Sequence, residues 1–458
     1  MSEHTVTIED TISVLLEEKK YASLRDILST MNPADIASVF DDLKEKHLPL
    51  LFRLLPKELA ADTFVEMEPQ NQELLIEGFS DKELREVLNE LYVDDAVDII
   101  EEMPANVVKR ILATSSSEMR KDINQILQYP ENSAGSIMTT EYISLKSTMT
   151  VGEAINYIRK IGVDKETIYT CYVLKNRKLI GLITIRDLLF AENDNVVITD
   201  IMETNLISVT THDDQEQVAL MFSKYNFMAL PVVDTEYRMV GIVTFDDAMD
   251  VMEDEATEDM EIMGGMTPSD KTYLFSNAFD LFKRRIPWLM LLMISATFTG
   301  MIINGFESAL SHFVVLTAFI PMLMDTGGNS GSQSSVTIIR SLSLDELEFK
   351  DLPKVIWKEI QTAVLCGIAL AIVCFAKIMV VDGWILKNPA VTPIVALVVC
   401  ATMALTVLVA KVIGCSLPMI AKKLGFDPAV MASPFITTMV DAISLLVYFG
   451  IASALLKI

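Results

Sequence analysis

The sequence predicts a multidomain integral membrane protein, in which an acidic soluble part precedes five membrane helices. From about residue 286 onward, five apolar stretches approach or exceed the roughly 20 residues that a helix needs to cross a bilayer. The charge changes at the same place, since residues 271–458 hold only 14 of the 37 basic and 11 of the 63 acidic residues. The other 23 basic and 52 acidic residues give residues 1–270 a surface that attracts cations and repels nucleic acid.

Residues 1–130 are predicted to form an α-helical solenoid. The amphipathic segment 35–43 is echoed at residues 58–67, 83–91 and 94–103. Short helical units of this kind cannot bury their apolar faces singly, so repetition favours a stack with one shared core.

Residues 131–250 contain an internal duplication. Residues 180–187, Ile-Gly-Leu-Ile-Thr-Ile-Arg-Asp, are matched 60 residues later by residues 240–247, Val-Gly-Ile-Val-Thr-Phe-Asp-Asp. Each half is predicted to run helix, strand, turn, strand, helix. The pattern resembles a tandem pair of α/β cystathionine-β-synthase-type (CBS) domains.

The CBS resemblance implies that ATP or another adenine nucleotide binds the pair, with Thr184, Arg186 and Asp187 near its ribose and phosphates. A helix N-terminus favours such anionic groups. The competing interpretation is that Thr184 is only a helix N-cap. The sequence leaves both open.

Residues 246–270 are predicted to hold an acidic helix that connects the CBS pair to the membrane part. Residues 246–261 carry nine carboxylates and no basic residue. Acidic residues recur at three-and-four spacing on one face and methionines on the other. Like charges at this spacing destabilise a helix, so a bound divalent cation would relieve the repulsion. A solvated acidic face is the alternative.

Residues 271–458 are predicted to form the membrane domain. Its five spans are expected at about residues 286–303, 313–339, 356–381, 391–418 and 428–456. Basic residues cluster before the first span and in two of the loops, which by the positive-inside rule makes the N-terminal domains cytoplasmic and places the C-terminus outside the inner (plasma) membrane.

Asp441 lies in the middle of the last span, where a charge is costly and usually functional. The nearest candidate partners, Lys377 and Lys411, are expected near span ends, where they can reach water. Thr437 and Ser433 share its helix face, and a column of hard oxygens suits Mg²⁺. The sequence therefore predicts a cation site at Asp441.

The second span contains Pro-Met-Leu-Met-Asp-Thr-Gly-Gly-Asn-Ser-Gly-Ser-Gln at residues 321–333. Small residues let helices approach closely or open the backbone beside a water-lined path. Close packing alone does not require Asp325 and Asn329, so we interpret this stretch as part of a pore or gate.

These motifs, together with Glu-Ala-Thr-Glu-Asp at 255–259 and Pro-Phe-Ile-Thr-Thr-Met-Val-Asp at 434–441, resemble the MgtE family of magnesium transporters. The resemblance implies a homodimer in which Asp441 selects hydrated Mg²⁺, and in which cytoplasmic Mg²⁺ bound between acidic surfaces closes the pore. The acids it implicates in sensing are Asp94, Asp98, Asp247, Asp250, Glu255, Glu258 and Asp259.

Three alternatives remain at this stage. A transporter of Co²⁺ or another divalent cation is hard to distinguish, because selectivity depends on pore width. A membrane enzyme regulated by its CBS pair would need a nucleophile–base pairing or a metalloprotease signature, and the sequence shows neither. A sensor with a membrane anchor would not need acids at membrane depth. We therefore expect a transporter and not an enzyme.

Overall fold

The computed structural model describes residues 8–41, 43, 45–269, 273, 276–307, 311, 313–431 and 433–456, with the backbone alone at 9, 45, 164 and 433. The chain divides into two compact units, Met1–Met252 and Glu253–Ile458. Each unit is considered by itself.

The first unit begins with a stack of short helices. They are α1 (Ile8–Glu17), α2 (Tyr21–Leu28), α3 (Pro33–Asp41), α4 (Leu48–Phe52), α5 (Lys57–Val65), α6 (Pro69–Gly78), α7 (Asp81–Leu88), α8 (Val93–Glu102), α9 (Ala105–Thr114) and α10 (Ser117–Ile126). One continuous core runs through them, with Leu24, Phe64 and Ile111 fully buried. The predicted helical solenoid is confirmed.

Two three-stranded sheets follow, one from each half of the duplication. The first contains β1 (Ile143–Lys146), β2 (Thr170–Lys175) and β3 (Lys178–Thr184); the second contains β4 (Val209–Thr210), β5 (Ala229–Val233) and β6 (Met239–Thr244). In both, the outer pairing is parallel and the hairpin antiparallel. The predicted hairpins are confirmed, whereas β1 and β4 were not predicted.

The helices of this region are α11 (Val151–Ile161), α12 (Ile185–Leu189), α13 (Gln215–Tyr225) and α14 (Phe245–Met263). Helix α14 is the predicted acidic connecting helix. It begins directly after β6, where Thr244 hydrogen-bonds the Asp247 carboxylate. It ends before Gly265, whose φ of +70° is the left-handed conformation that favours glycine.

The second unit contains five long helices in its described part. They are α15 (Ala278–Gly305), α16 (Ile320–Ser343), α17 (Leu352–Lys377), α18 (Pro393–Leu424) and α19 (Ser433–Leu456). Among described residues, four stretches are long and apolar enough to cross a membrane, and they contain every one of these helices except α16. Helix α16 carries the Gly- and Ser-rich stretch, which lowers its mean hydropathy.

Helix α16 packs against α18 and α19 through its glycines. A Cβ added to Gly414 of α18 would lie 2.2 Å from the carbonyl oxygen of Gly331 of α16, so the two backbones touch. A Cβ on Gly328 would lie 2.8 Å from Thr437 Cγ2 of α19. Part of the small-residue stretch therefore serves close packing, the alternative that the sequence had left in second place.

Candidate cation sites

A cluster of carboxylates lies where α8 meets the CBS pair in the first unit. Asp94 is 6% exposed, and its Oδ1 is buried without a hydrogen-bond partner in the part of the chain that the structure describes. The backbone N–H of Val93 donates to Glu141 Oε2 over 3.1 Å, which ties the start of α8 to the CBS pair. Asp94 interacts electrostatically with Asp247 at the start of α14, so two of the predicted sensor acids are brought together.

Burial and mutual repulsion favour the protonated forms of these acids. Burial and then the charge of Asp247 raise the pKa of Asp95 to about 7. Burial, followed by Asp95 and Asp246, raises the pKa of Glu166 to about 8. Burial raises the pKa of Asp247 to about 6, although its hydrogen bond from Thr244 opposes the shift.

The predicted acids Asp98 and Asp250 also interact electrostatically with Asp247. Burial and Asp247 raise the pKa of Asp98, and Asp250 acts on Asp247 from one turn along α14. Sequence analysis missed Asp95 and Glu166. Asp95 follows Asp94 directly and could have been included, whereas only the fold brings Glu166 to this place.

Within the described ranges, no group of three or more His, Cys, Asp or Glu side chains has the arrangement of a metal site. The cluster is instead a concentration of acidic groups. Its groups are partly desolvated, and each raises the cost of ionising the next. Such a surface gains most from a hydrated divalent cation that bridges carboxylates on different elements.

The other predicted sensor acids, Glu255, Glu258 and Asp259, lie on the part of α14 that belongs to the second unit. Glu255 is half-buried and Glu258 exposed. Ser343 Oγ, at the end of α16, donates to Asp259 Oδ2 over 2.9 Å. Burial raises the pKa of Asp259, and the Ser343 hydrogen bond opposes that change.

The last turn of α14 packs on helices of the membrane unit. Ile262 and Met263 contact a small apolar cluster formed by Ile339 of α16 and Ala429, which precedes α19. The connecting helix is therefore in direct contact with α16, which carries Asp325, and with the short segment that precedes α19, which carries Asp441.

Asp441 is half-buried in α19, and its Oδ1 is buried with no hydrogen-bond partner in the described structure. It interacts electrostatically with Asp325 of α16, and both Asp325 and Asn329 are exposed on that helix. Thr437, one turn before Asp441, contacts Gly328. The side chain of Ser433 lies outside the described residues.

The expectation that Lys411 lies near a span end is wrong. It lies well inside α18, is 5% exposed, and stands 3.7 Å from Glu359 Oε2 of α17. Its Nζ donates to Ser334 Oγ of α16 over 3.2 Å, and Ser334 donates to Glu359 over 2.6 Å. Lys411 is therefore engaged by Glu359, which leaves Asp441 without this partner.

Thr184 and Asp187 form a helix capping box at the start of α12. The N–H of Asp187 donates to Thr184 Oγ1 over 3.2 Å, and the N–H of Thr184 donates to Asp187 Oδ2 over 3.0 Å. The N-cap interpretation is therefore confirmed for Thr184. Arg186 and Asp187 are exposed, so they stay accessible to a ligand.

Family models match most of the chain. Residues 320–451 match the divalent cation transporter domain of MgtE, residues 31–132 match the MgtE intracellular N domain, and residues 134–194 and 198–254 match CBS domains. Together with the long apolar helices and an acid at membrane depth, these matches define a membrane protein of the divalent-cation transporter class.

Curated relatives cover nearly the whole chain. The magnesium transporter MgtE of Thermus thermophilus is 35% identical over 96% of this chain and 97% of its own length. The magnesium transporter MgtE of Bacillus subtilis is 32% identical over 97% of this chain and 96% of its own. The chain belongs to the MgtE family.

Solved structures resemble the first unit. The cytosolic domain of the Mg²⁺ channel MgtE in complex with ATP is 34% identical, with a TM-score of 0.51 over 53% of this chain and 100% of that one. The soluble part of a magnesium transporter gives 31% identity and a TM-score of 0.50 over 54% of this chain and 98% of that one.

We expect the carboxylate cluster to make the stability of the fold depend on pH, and we expect Mg²⁺ to remove most of that dependence. The pKa values of Asp95 and Glu166 lie above the ~4 of a free carboxyl, so the folded state binds more protons than the unfolded state from about pH 4 to pH 8. The contribution of these groups to the free energy of unfolding is therefore greatest at low pH and falls as the pH rises through this range. Thermal unfolding of the detergent-solubilised chain should show the loss in EDTA and much less of it in Mg²⁺.

A second variant tests the same cluster. Asp94→Asn removes one of its ionisable groups and should weaken the pH dependence of the melting temperature in EDTA. An equal pH dependence with and without Mg²⁺ would contradict the assignment of the cluster as a cation site.

The buried ion pair predicts a second stability effect. Lys411→Met should destabilise the chain by ~3–5 kcal/mol, because it leaves the Glu359 carboxylate unpaired, and adding Glu359→Gln should restore much of the loss. Lys354→Met is the control, since Lys354 is 84% exposed and the loss of its pair with Asp351 should change stability little. Thermal unfolding in detergent measures all three variants. If the double variant is as unstable as Lys411→Met, the charge is not the cause.

Proposed function

We propose that this chain is a Mg²⁺-selective channel or transporter of the inner (plasma) membrane, gated by Mg²⁺ on its cytoplasmic side. The observation that carries the proposal is Asp441, an acid in an apolar helix whose inner oxygen has no hydrogen-bond partner among the residues that the structure describes. With Lys411 engaged by Glu359, the negative charge of Asp441 is available to a passing cation. An inside-negative potential supplies ~2.3 kcal/mol per charge per 100 mV, which drives a divalent cation inward.

The groups around Asp441 suit Mg²⁺. The predicted pore residues Asp325, Asn329 and Thr437 offer carboxylate, amide and hydroxyl oxygens, and the set contains no soft ligand. Mg²⁺ keeps most of its waters, so few direct ligands are needed. We assign Ser433 to the same column from its position in the sequence.

A homodimer explains how one acidic helix face can form a pore. Asp325 and Asn329 are exposed on α16 beside Asp441 of α19, so a second copy could complete the path across a two-fold axis. The basic residues near the start of α15, between α16 and α17, and in the last turn of α18 support cytoplasmic N-terminal domains and a C-terminus outside.

Gating follows from repulsion among the acids of α8 and α14. At high cytoplasmic Mg²⁺, ions bridge Asp94, Asp98, Asp247 and Asp250, and others bind Glu255, Glu258 and Asp259, holding the closed arrangement. When Mg²⁺ falls, the carboxylates repel one another and α14 moves. Because α14 contacts Ile339 and Ala429, its displacement reaches the pore helices.

We further propose that an adenine nucleotide binds the CBS pair. The relative solved with ATP supports this assignment, because it covers the same part of the chain at 34% identity. Arg186 and Asp187 are exposed beside the N-terminus of α12, with Thr184 at its cap. The nucleotide would thus act as a regulatory ligand, not as an energy source.

Transport of Co²⁺ is the alternative in the same class, and membership in the MgtE family favours Mg²⁺ over it. The same membership speaks against a CBS-regulated enzyme or an anchored sensor. No observation on the described residues favours either.

Neutralising Asp441 should abolish transport. Asp441→Asn keeps the side-chain shape but removes the charge, and we expect Mg²⁺ flux into proteoliposomes to fall at least about tenfold, since interactions with a charged group contribute ~1.5–3 kcal/mol. Asp345→Asn, an exposed acid paired with Lys422, is the control and should transport normally. Competition by Co²⁺ and Ca²⁺ in the same assay measures selectivity. Undiminished flux through Asp441→Asn would remove the basis of the proposal.

Neutralising Glu255, Glu258 and Asp259 together should leave the pore open at millimolar Mg²⁺, because bound cations can no longer hold α14 in place. Patch-clamp recording of reconstituted channels with Mg²⁺ on the cytoplasmic side measures closure. The control neutralises the same number of exposed acids elsewhere, Glu17, Glu90 and Glu192. If the test variant closes as the wild type does, the sensor lies elsewhere.

A further inference from the structure

Among the described residues of the membrane unit, two hydroxyl groups are buried without a hydrogen-bond partner, as is the inner oxygen of Asp441. They are Thr406 Oγ1 on α18 and Ser444 Oγ on α19. Thr406 is 1% exposed and Ser444 2% exposed. A buried hydroxyl in a helix ordinarily bonds the carbonyl one turn earlier, so each of these groups has given up an available partner.

Thr406 and Ser444 lie at one contact between α16, α18 and α19. A Cβ added to Gly327 of α16 would lie 3.1 Å from Ser444 Oγ and 2.6 Å from Thr406 Cγ2. Ser444 follows Asp441 by three residues on α19, so both side chains lie on one helix face. The absence of a side chain at Gly327 makes room for the polar groups.

Unpaired buried polar groups are costly, and they are usually satisfied by ordered water. A buried water typically makes about three hydrogen bonds. Here the three unpaired groups, one on α18 and two on α19, belong to the helices that meet α16 at Gly327, and a single water molecule bonded to all three would satisfy them.

We propose that Thr406 and Ser444 are positioning residues for Asp441, which act by holding a water molecule that donates to its inner carboxylate oxygen. The inner oxygen is thereby fixed, and the other oxygen is directed to the ion path. Supporting groups of this kind orient a cation ligand without touching the cation. The inference rests on the proposed transport role of Asp441 and adds the residues that set its orientation.

The chain provides a closely matched control. Thr402 lies one turn before Thr406 on α18 and is equally buried, but its Oγ1 donates to the carbonyl of Val398 over 2.8 Å. Replacing Thr402 by Val removes the same hydroxyl from the same helix without touching the site. Thr406→Ser keeps the hydroxyl and loses only the methyl group.

The test compares Thr406→Val, Ser444→Ala, Thr402→Val and Thr406→Ser in two assays on the full chain, Mg²⁺ flux into proteoliposomes and thermal unfolding in detergent. Thr406→Val and Ser444→Ala should need about tenfold more Mg²⁺ for half-maximal flux, the effect of losing one hydrogen bond that supports a charged group. Maximal flux should change less than the half-saturating concentration. Their melting temperatures should change no more than that of Thr402→Val, because each of these variants removes one buried hydroxyl group. Thr402→Val and Thr406→Ser should transport as the wild type does.

A purely structural role for the two hydroxyls would lower flux only in proportion to stability. The inference is overturned if Thr406→Val and Ser444→Ala match Thr402→Val in half-saturation, or if their flux falls only with their melting temperature. Asp441→Asn, measured alongside, separates the two claims. If it transports normally, the proposed function fails; if it is inactive while Thr406→Val is normal, only the positioning role fails.

Discussion

The membrane unit depends on the backbone contact between Gly331 of α16 and Gly414 of α18. Lipid offers little hydrophobic drive for helix association, so close van der Waals contact and polar interactions between helices must stabilise the unit. The contact brings α16 close enough for Ser334 to bond both Lys411 and Glu359. Gly327 and Gly328 of α16 let α19 approach closely, which brings Asp441 of α19 near α16. A larger residue at these positions would separate the polar groups from one another.

In the first unit, by contrast, the central feature is a group of acids that repel one another. Asp94, Asp95 and Asp247 are drawn together by a fold whose apolar core outweighs their repulsion. The repulsion among these acids raises the free energy of the folded unit where α8 and α14 meet. A cation that relieves the repulsion stabilises one arrangement of the unit, which is the thermodynamic requirement for a ligand-controlled change of shape.

Periodicity made much of this structure predictable. The connecting helix and both hairpins follow from their sequence patterns, and the isolation of Asp441 follows from an acid in an apolar run. Strand β4 has two residues and carries too little pattern to recognise. The role of Lys411 was missed because α18 extends six residues beyond the predicted end of its span, to Leu424. Glu166 joins the acidic cluster only through the fold, and no local pattern marks it.

The end of the connecting helix α14 contacts α15, the first membrane helix. Glu261 forms an ion pair with Arg284, whose Nε also donates to the carbonyl of Thr267 over 2.8 Å. Gly265 lies against the indole of Trp288, with no room for a side chain between them. The turn after α14 is therefore held in place against the start of α15. A displacement of the connecting helix would therefore reach α15 directly, so α15 is a second point, besides the contacts with Ile339 and Ala429, at which α14 bears on the membrane helices.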